Sequence, residues 1–184
     1  MRGICTCMNQ RSHTALLPLL ILCQLISGER VASAETPVQA WSVRYGYSGL
    51  NADDQVSKIV TDSTGNAVVI GTTTDNATGK DMLVIKYSSD GVALWTNRYT
   101  GPGNGDDVPT AVGIGTNNMV FVTGYSLGMS GSWDPTTIAY SATGLPMWTN
   151  RFSGFLSFLN DQANALAVDE DSNVIVAGHL DTQS

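Results

Sequence analysis

From about residue 41 onward, short apolar runs alternate with clusters of Gly, Asn, Asp and Ser. The first set of runs falls at 56–61, 67–73, 82–88 and 92–99, each rich in Val, Ile, Thr and Tyr. Runs of that composition bounded by turn residues predict β-strands. The links are hairpin-sized. Asp90-Gly91 lies between two runs, and Gly accepts the positive φ that a tight turn needs. Thr143-Gly144 holds the same place further on. No stretch after residue 34 carries helical periodicity.

The pattern recurs. Trp41-Ser42-Val43-Arg44-Tyr45, Trp95-Thr96-Asn97-Arg98-Tyr99 and Trp148-Thr149-Asn150-Arg151-Phe152 are near-copies, spaced by 54 and 53 residues. An acidic residue follows each phrase, at Asp54, Asp107 and Asp161. Then come an alternating run (56–61, 109–114, 163–168), a polar turn, and a second run ending in Gly71, Gly124 or Gly178. A fixed period of this size marks an array of supersecondary units. Four antiparallel strands per unit predict an all-β fold, a β-propeller with four-stranded blades of about 53 residues. A β-sandwich accounts for the strands but not the period, and a β-solenoid has a shorter one.

The phrases Asp81-Met82-Leu83-Val84-Ile85-Lys86-Tyr87-Ser88-Ser89-Asp90-Gly91-Val92-Ala93-Leu94-Trp95 and Arg98-Tyr99-Thr100-Gly101 to Asp107 resemble the SBBP-type bacterial β-propeller repeat. The first unit fits that repeat throughout, including 62–71. The second departs: Asp134-Pro135-Thr136-Thr137-Ile138-Ala139-Tyr140 lacks the Lys, and Gly115 replaces the turn Asp. The third fits through Gly178. The resemblance covers about 41–184 and implies a secreted or surface-attached bacterial propeller, often one module of a larger protein. It implies no common catalytic activity, so no catalytic residue carries over.

Residues 1–34 read differently. Arg2 and Arg11 precede an apolar stretch of 12 residues, 15–26, and Ala32-Ser33-Ala34 forms a small-x-small cleavage pattern. That combination predicts a secretory signal peptide cleaved before Glu35, too short for a membrane span. The expected product is secreted, extracellular or periplasmic. Cys5, Cys7 and Cys23 all lie in this segment, so 35–184 can hold neither a disulfide framework nor a thiol nucleophile. Removing 1–34 takes away three arginines and one glutamate, and the formal charge falls from −7 to −9. This argues against nucleic acid as a partner, since phosphate contacts need a basic surface.

The domain organisation expected is a signal peptide at 1–34 and a partial propeller at 35–184. The latter comprises a strand at 41–45, blades at 56–99 and 109–152, and a half blade at 163–178. Propellers have roughly four to eight blades, and about 2.7 are present. The expectation is therefore a fragment of a larger protein. The rival is self-association, in which the Trp strand of one chain adds to 163–168 and 174–178 of a neighbour. Two copies would then make roughly six blades, two of them one strand short.

Candidate chemistry is sparse. Asp54, Asp107 and Asp161 enter successive inner strands and could line an acidic rim for a cation or cationic ligand; as turn residues they would instead accept backbone N–H groups. Asp169, Asp171 and Asn173 form the Asp-x-Asp-x-Asn opening of a Ca2+ loop, since hard oxygens at alternate positions suit calcium. Val174 stands where the loop glycine belongs, and a plain hairpin turn is the simpler reading. Trp133 lies out of register beside a Gly/Ser loop and is a candidate ligand contact. The other aromatics suit packing between blades. His179, the one histidine after residue 34, has no partner set for a triad. Asn76-Ala77-Thr78 is a glycosylation sequon.

The functions in contention are a secreted binding or scaffold module with a protein or glycan partner, and part of a propeller enzyme. For the enzyme, 142–148 faintly resembles the tryptophan-docking repeat of quinone-dependent dehydrogenases, but no cofactor pocket is legible. A polysaccharide-active propeller would need converging carboxylates.

Overall fold

The computed structural model describes residues 39–46, 53–153 and 159–182, together with the backbone of 4–8. The apolar stretch 15–26, the cleavage pattern at 32–34 and Cys23 lie outside the described residues.

The described chain is all-β. β1 (Ile4–Met8) pairs with β2 (Gln39–Arg44). β3 (Gln55–Thr61), β4 (Ala67–Asp75), β5 (Gly79–Tyr87) and β6 (Ala93–Tyr99) form one antiparallel sheet in sequence order. β7 (Asp107–Ile114), β8 (Val120–Leu127), β9 (Trp133–Tyr140) and β10 (Pro146–Arg151) form a second with the same order. β11 (Gln162–Val168) and β12 (Val174–His179) pair as a two-stranded sheet. The strand β1 falls inside the segment that the sequence sets aside as a leader.

The strands at 67–73 and 82–88 are longer toward their shared turn than the apolar runs suggest. The β4–β5 ladder runs unbroken from Ala67 opposite Tyr87 to Asp75 opposite Gly79. Its polar tip is held locally: Asp75 Oδ1 accepts the Ala77 N–H, and Gly79 takes φ +74°. Turn chemistry, not hydrophobicity, sets this end.

Each first strand carries a register shift, at Val56/Lys58, Pro109/Ala111 and Ala163/Ala165. Opposite each shift stands a glycine. A Cβ on Gly71, Gly124 or Gly178 would lie 2.0, 2.0 or 1.9 Å from the carbonyl oxygen of Gln55, Val108 or Gln162. The bulge drives a carbonyl into the space a side chain would fill, which is why the second apolar run ends in glycine each time.

The sheets pack face to face. Val68, Ile70, Met82 and Val84 of the first sheet meet Val120, Val122, Ile138 and Tyr140 of the second. The opposite face of the first sheet, with Val69, Leu83, Ile85 and Tyr87, is covered by Trp41, Val43 and Tyr45. Buried on both faces, β4 and β5 read as continuous apolar runs and not as alternation.

Candidate functional site

Successive sheets are joined by one repeated device. β2 carries Trp41 onto the β5–β6 turn, where its Nε1 donates to Ser89 O at 3.0 Å and its ring lies 5.9 Å from Tyr87. β6 carries Trp95 onto the β9–β10 turn, where Nε1 donates to Ala142 O at 3.0 Å and the ring lies 5.9 Å from Tyr140. Asn97 Nδ2 adds a bond to Gly144 O at 2.8 Å. The turns accept the rings because a glycine sits beneath each. A Cβ on Gly91 would meet the Trp41 ring at 2.7 Å, and one on Gly144 the Trp95 ring at 2.6 Å. Both glycines also have positive φ, +83° and +86°, so turn and tryptophan demand the same residue.

A second device ties the fourth strand of each four-stranded sheet to the strands before it. Arg98 donates through Nε to Asp81 Oδ2 at 2.9 Å and also through Nη2, and its Nη1 reaches Asp75 at 3.2 Å. Arg151 donates to Asp134 Oδ2 at 2.8 Å, to Ser126 Oγ at 2.6 Å and to Tyr99 Oη at 3.3 Å. The arginine of the repeated Trp phrase thus meets the aspartate that opens the apolar third strand. Desolvation alone would lower the Arg98 pKa, but Asp81 and Asp75 outweigh it and raise it. The sequence pattern contains both partners but gives no sign that they meet.

Asp107 is fully buried. Its carboxylate accepts the Gly101 N–H at 2.5 Å and the Leu127 N–H at 3.2 Å. Burial pushes its pKa up, against the lowering effect of bonds from Ser126 and Gly101. Asp161 is also buried and accepts the Asp181 N–H at 2.9 Å. Asp54 is half-buried at the foot of β3. The structure does not bring Asp107 and Asp161 onto a solvent-facing rim; they turn inward to backbone amides.

The β11–β12 turn shows what Asp169, Asp171 and Asn173 do. Asp169 Oδ1 accepts the N–H of Asp171 at 3.0 Å and of Asn173 at 2.8 Å, while Oδ2 accepts Asn173 Nδ2 at 2.8 Å. Those bonds from Asn173, with the Asp171 N–H, lower the Asp169 pKa. The carboxylate is spent on its own turn; Asp62 makes the same kind of bonds, accepting from Thr64 and Asn66 in the β3–β4 turn, and also pairs with Lys86 of β5 at 2.8 Å. Among the described residues no group of three His, Cys, Asp or Glu side chains is placed to hold a metal ion.

Trp133 opens β9 half-buried, its ring 5.4 Å from Tyr125. His179 Nε2 lies 3.1 Å from Asp181 on the surface, with no nucleophile in that pair.

The polar turns of the three sheets touch in succession. Ser63 Oγ donates to Asn118 Oδ1 at 2.8 Å, and the Thr116 N–H donates to Ser172 Oγ at 2.7 Å. Beyond them, the face of the second sheet that points away from the first is partly open. A groove of about 380 Å³ there is lined by Thr137, Asn150, Phe152, Val174, Val176 and Leu180. Trp148 lies on the same side, 6.0 Å from Phe121 and 41 % exposed. No family model matches this chain, and no curated protein matches it significantly.

Proposed function

We propose that the chain is part of a secreted β-propeller, similar to the SBBP-type repeat proteins, that serves outside the cell as a binding or scaffold module. One observation carries the reading. The same interlock, a tryptophan laid on the glycine turn of the next sheet, joins β2 to the first sheet and the first sheet to the second. Sheets related by a repeated interlock stack in series, as propeller blades do. The inward-turned carboxylates and the local use of Asp169 support a scaffold over a catalytic or calcium-dependent role. The acidic balance and the leader-like 1–34 support export.

The test is export of the full chain from a bacterium, followed by N-terminal sequencing and a glycan array on the recovered protein. Glu35 as first residue, with selective capture of one glycan class, is the expected result for a glycan partner. A cytosolic product that retains Met1 overturns the export reading. Export with an empty array leaves a protein partner as the form of the proposal.

A further inference from the structure

Asn104-Gly105 is the single Asn-Gly step in the chain. It lies in the link between β6 and β7, with Asn104 exposed and in the left-handed region at φ +48°. Asn tolerates that conformation better than most residues. Packing holds the next position to glycine, since a Cβ on Gly105 would meet Leu127 Cδ2 at 2.3 Å. Two groups at this step make no hydrogen bond among the described residues: the side-chain amide of Asn104 and the backbone N–H of Gly105.

Comparable steps elsewhere are tied down. At Asp90-Gly91 the Gly91 N–H donates to Ser88 O at 2.9 Å. At Asn76-Ala77 the Ala77 N–H donates to Asp75 Oδ1 at 2.9 Å. Asn66, Asn97 and Asn173 donate through Nδ2 to Asp62, Gly144 and Asp169. The β6–β7 link is itself pinned on both sides of the free step. Upstream, the Gly103 N–H donates to Leu127 O at 3.1 Å. Downstream, Asp106 O accepts the Leu127 N–H at 3.2 Å and Asp106 Oδ1 accepts the Lys80 N–H at 3.1 Å. Lys80 belongs to β5 and Leu127 to β8, so these bonds fasten the first sheet to the second.

We propose that Asn104-Gly105 is a self-modifying step: Asn104 converts to aspartate and isoaspartate through a succinimide, and the isoaspartate unfastens the β6–β7 link. The Gly105 nitrogen gives up its proton and bonds to Asn104 Cγ, the Cγ–Nδ2 bond breaks, and ammonia leaves with the proton. Water then opens the ring. Opening at Cγ leaves aspartate on an unchanged backbone. Opening at the main-chain carbonyl leaves isoaspartate, whose backbone runs through Cβ and Cγ and is longer by one atom. Nothing is oxidised or reduced, and water is the sole co-reactant. Glycine favours ring closure because it puts no side chain beside the attacking nitrogen and leaves the backbone free to turn toward Cγ. The longer backbone must then fit between Gly103 and Asp106, both pinned, with Leu127 packed against Gly105. One of the bonds at Leu127 or Lys80 therefore gives way.

The test ages the full 184-residue chain at neutral pH in heavy-oxygen water and follows each asparagine by peptide mass spectrometry. Conversion at Asn104 should run at least about tenfold faster than at Asn76 or Asn117, a barrier lower by about 1.4 kcal/mol. Each product should carry one heavy oxygen, and fragmentation separates isoaspartate from aspartate. Amide hydrogen exchange should then quicken at Lys80 or Leu127 in the isoaspartate fraction. The Asn104→Asp variant carries the new charge on an ordinary backbone and should exchange as the natural chain does. Asn104→Ser should age with neither change. An Asn104 that stays intact, alone or with the other asparagines, overturns the proposal. So does an isoaspartate fraction whose Lys80 and Leu127 amides exchange as before, or an Asn104→Asp variant that loosens those amides equally.

Discussion

Lys86 Nζ lies 2.8 Å from Asp62 Oδ2, with both side chains buried within the first sheet. The pair joins the residue just after β3 to β5, across the intervening strand β4. The second sheet has neither partner, since Gly115 and Ala139 stand at the matching positions. The second sheet thus differs from the first at both ends of one buried ion pair.

Removing one end of that pair should be far more costly than removing both. Lys86→Ala leaves a buried carboxylate without its cation, which costs about 3–5 kcal/mol in comparable buried pairs. The double variant Asp62→Gly with Lys86→Ala reproduces the second sheet and should recover at least about half of that loss. Urea unfolding of the four proteins of the cycle measures the coupling directly. Additive losses would show that the pair contributes no interaction of its own.

The same carboxylate sets an acid limit. Burial alone would raise the Asp62 pKa, but Lys86, Thr64 and Asn66 outweigh it and hold the group well below the usual carboxylate range. A carboxylate whose folded pKa is depressed adds stability above its unfolded pKa of about 3.9 and loses it as pH falls toward the folded value. Asp107 runs the other way. Burial raises its pKa, so its contribution is complete below about pH 3.9 and declines as pH rises through the folded value. Urea midpoints between pH 6 and pH 2 should fall for the natural chain and fall less steeply for Asp62→Asn. An unchanged slope in that variant would remove Asp62 as the source.

Gly144 and Gly131 separate two reasons for glycine. Both have positive φ, +86° and +82°, but a Cβ meets the Trp95 ring at 2.6 Å on Gly144 and nothing within 4 Å on Gly131. Gly131→Ala should cost only the left-handed conformation, about 1–2 kcal/mol. Gly144→Ala should cost that plus displacement of the ring, and should shift tryptophan emission to the red as Trp95 gains water. Equal losses at the two sites would mean that the ring adjusts without penalty.

The sequence carries the strands and their grouping because apolar runs, Gly-containing turns and the Trp phrase all repeat at one spacing. Long-range partners are hidden in it. Arg98 and Asp81, or Lys86 and Asp62, are 17 and 24 residues apart with nothing local to join them. Only the sheet register brings them together. For Asp107 the residue type and its place before an inner strand suggest a carboxylate that accepts backbone N–H groups, but which amides it meets, those of Gly101 and Leu127, depends on how the loop folds back.

Gly71 gives the sharpest test of the bulge as a determinant of sequence. A Cβ there would lie 2.0 Å from Gln55 O and 3.1 Å from Val56 Cα, both backbone atoms that cannot swing aside. Gly71→Ala must therefore flatten the bulge or part the strands, either of which disturbs β4, a strand buried on both faces. The expected loss is more than about 3 kcal/mol, beyond the usual effect of a point change. Gly178→Ala meets the same obstacle, with Gln162 O at 1.9 Å, but on β12, whose residues are mostly exposed and whose second edge pairs with no strand among the described residues. There the strand can peel outward, so the loss should be smaller, with faster amide exchange confined to β11 and β12. Similar global losses from the two substitutions would show that the two-stranded sheet unfolds only together with the sheets before it.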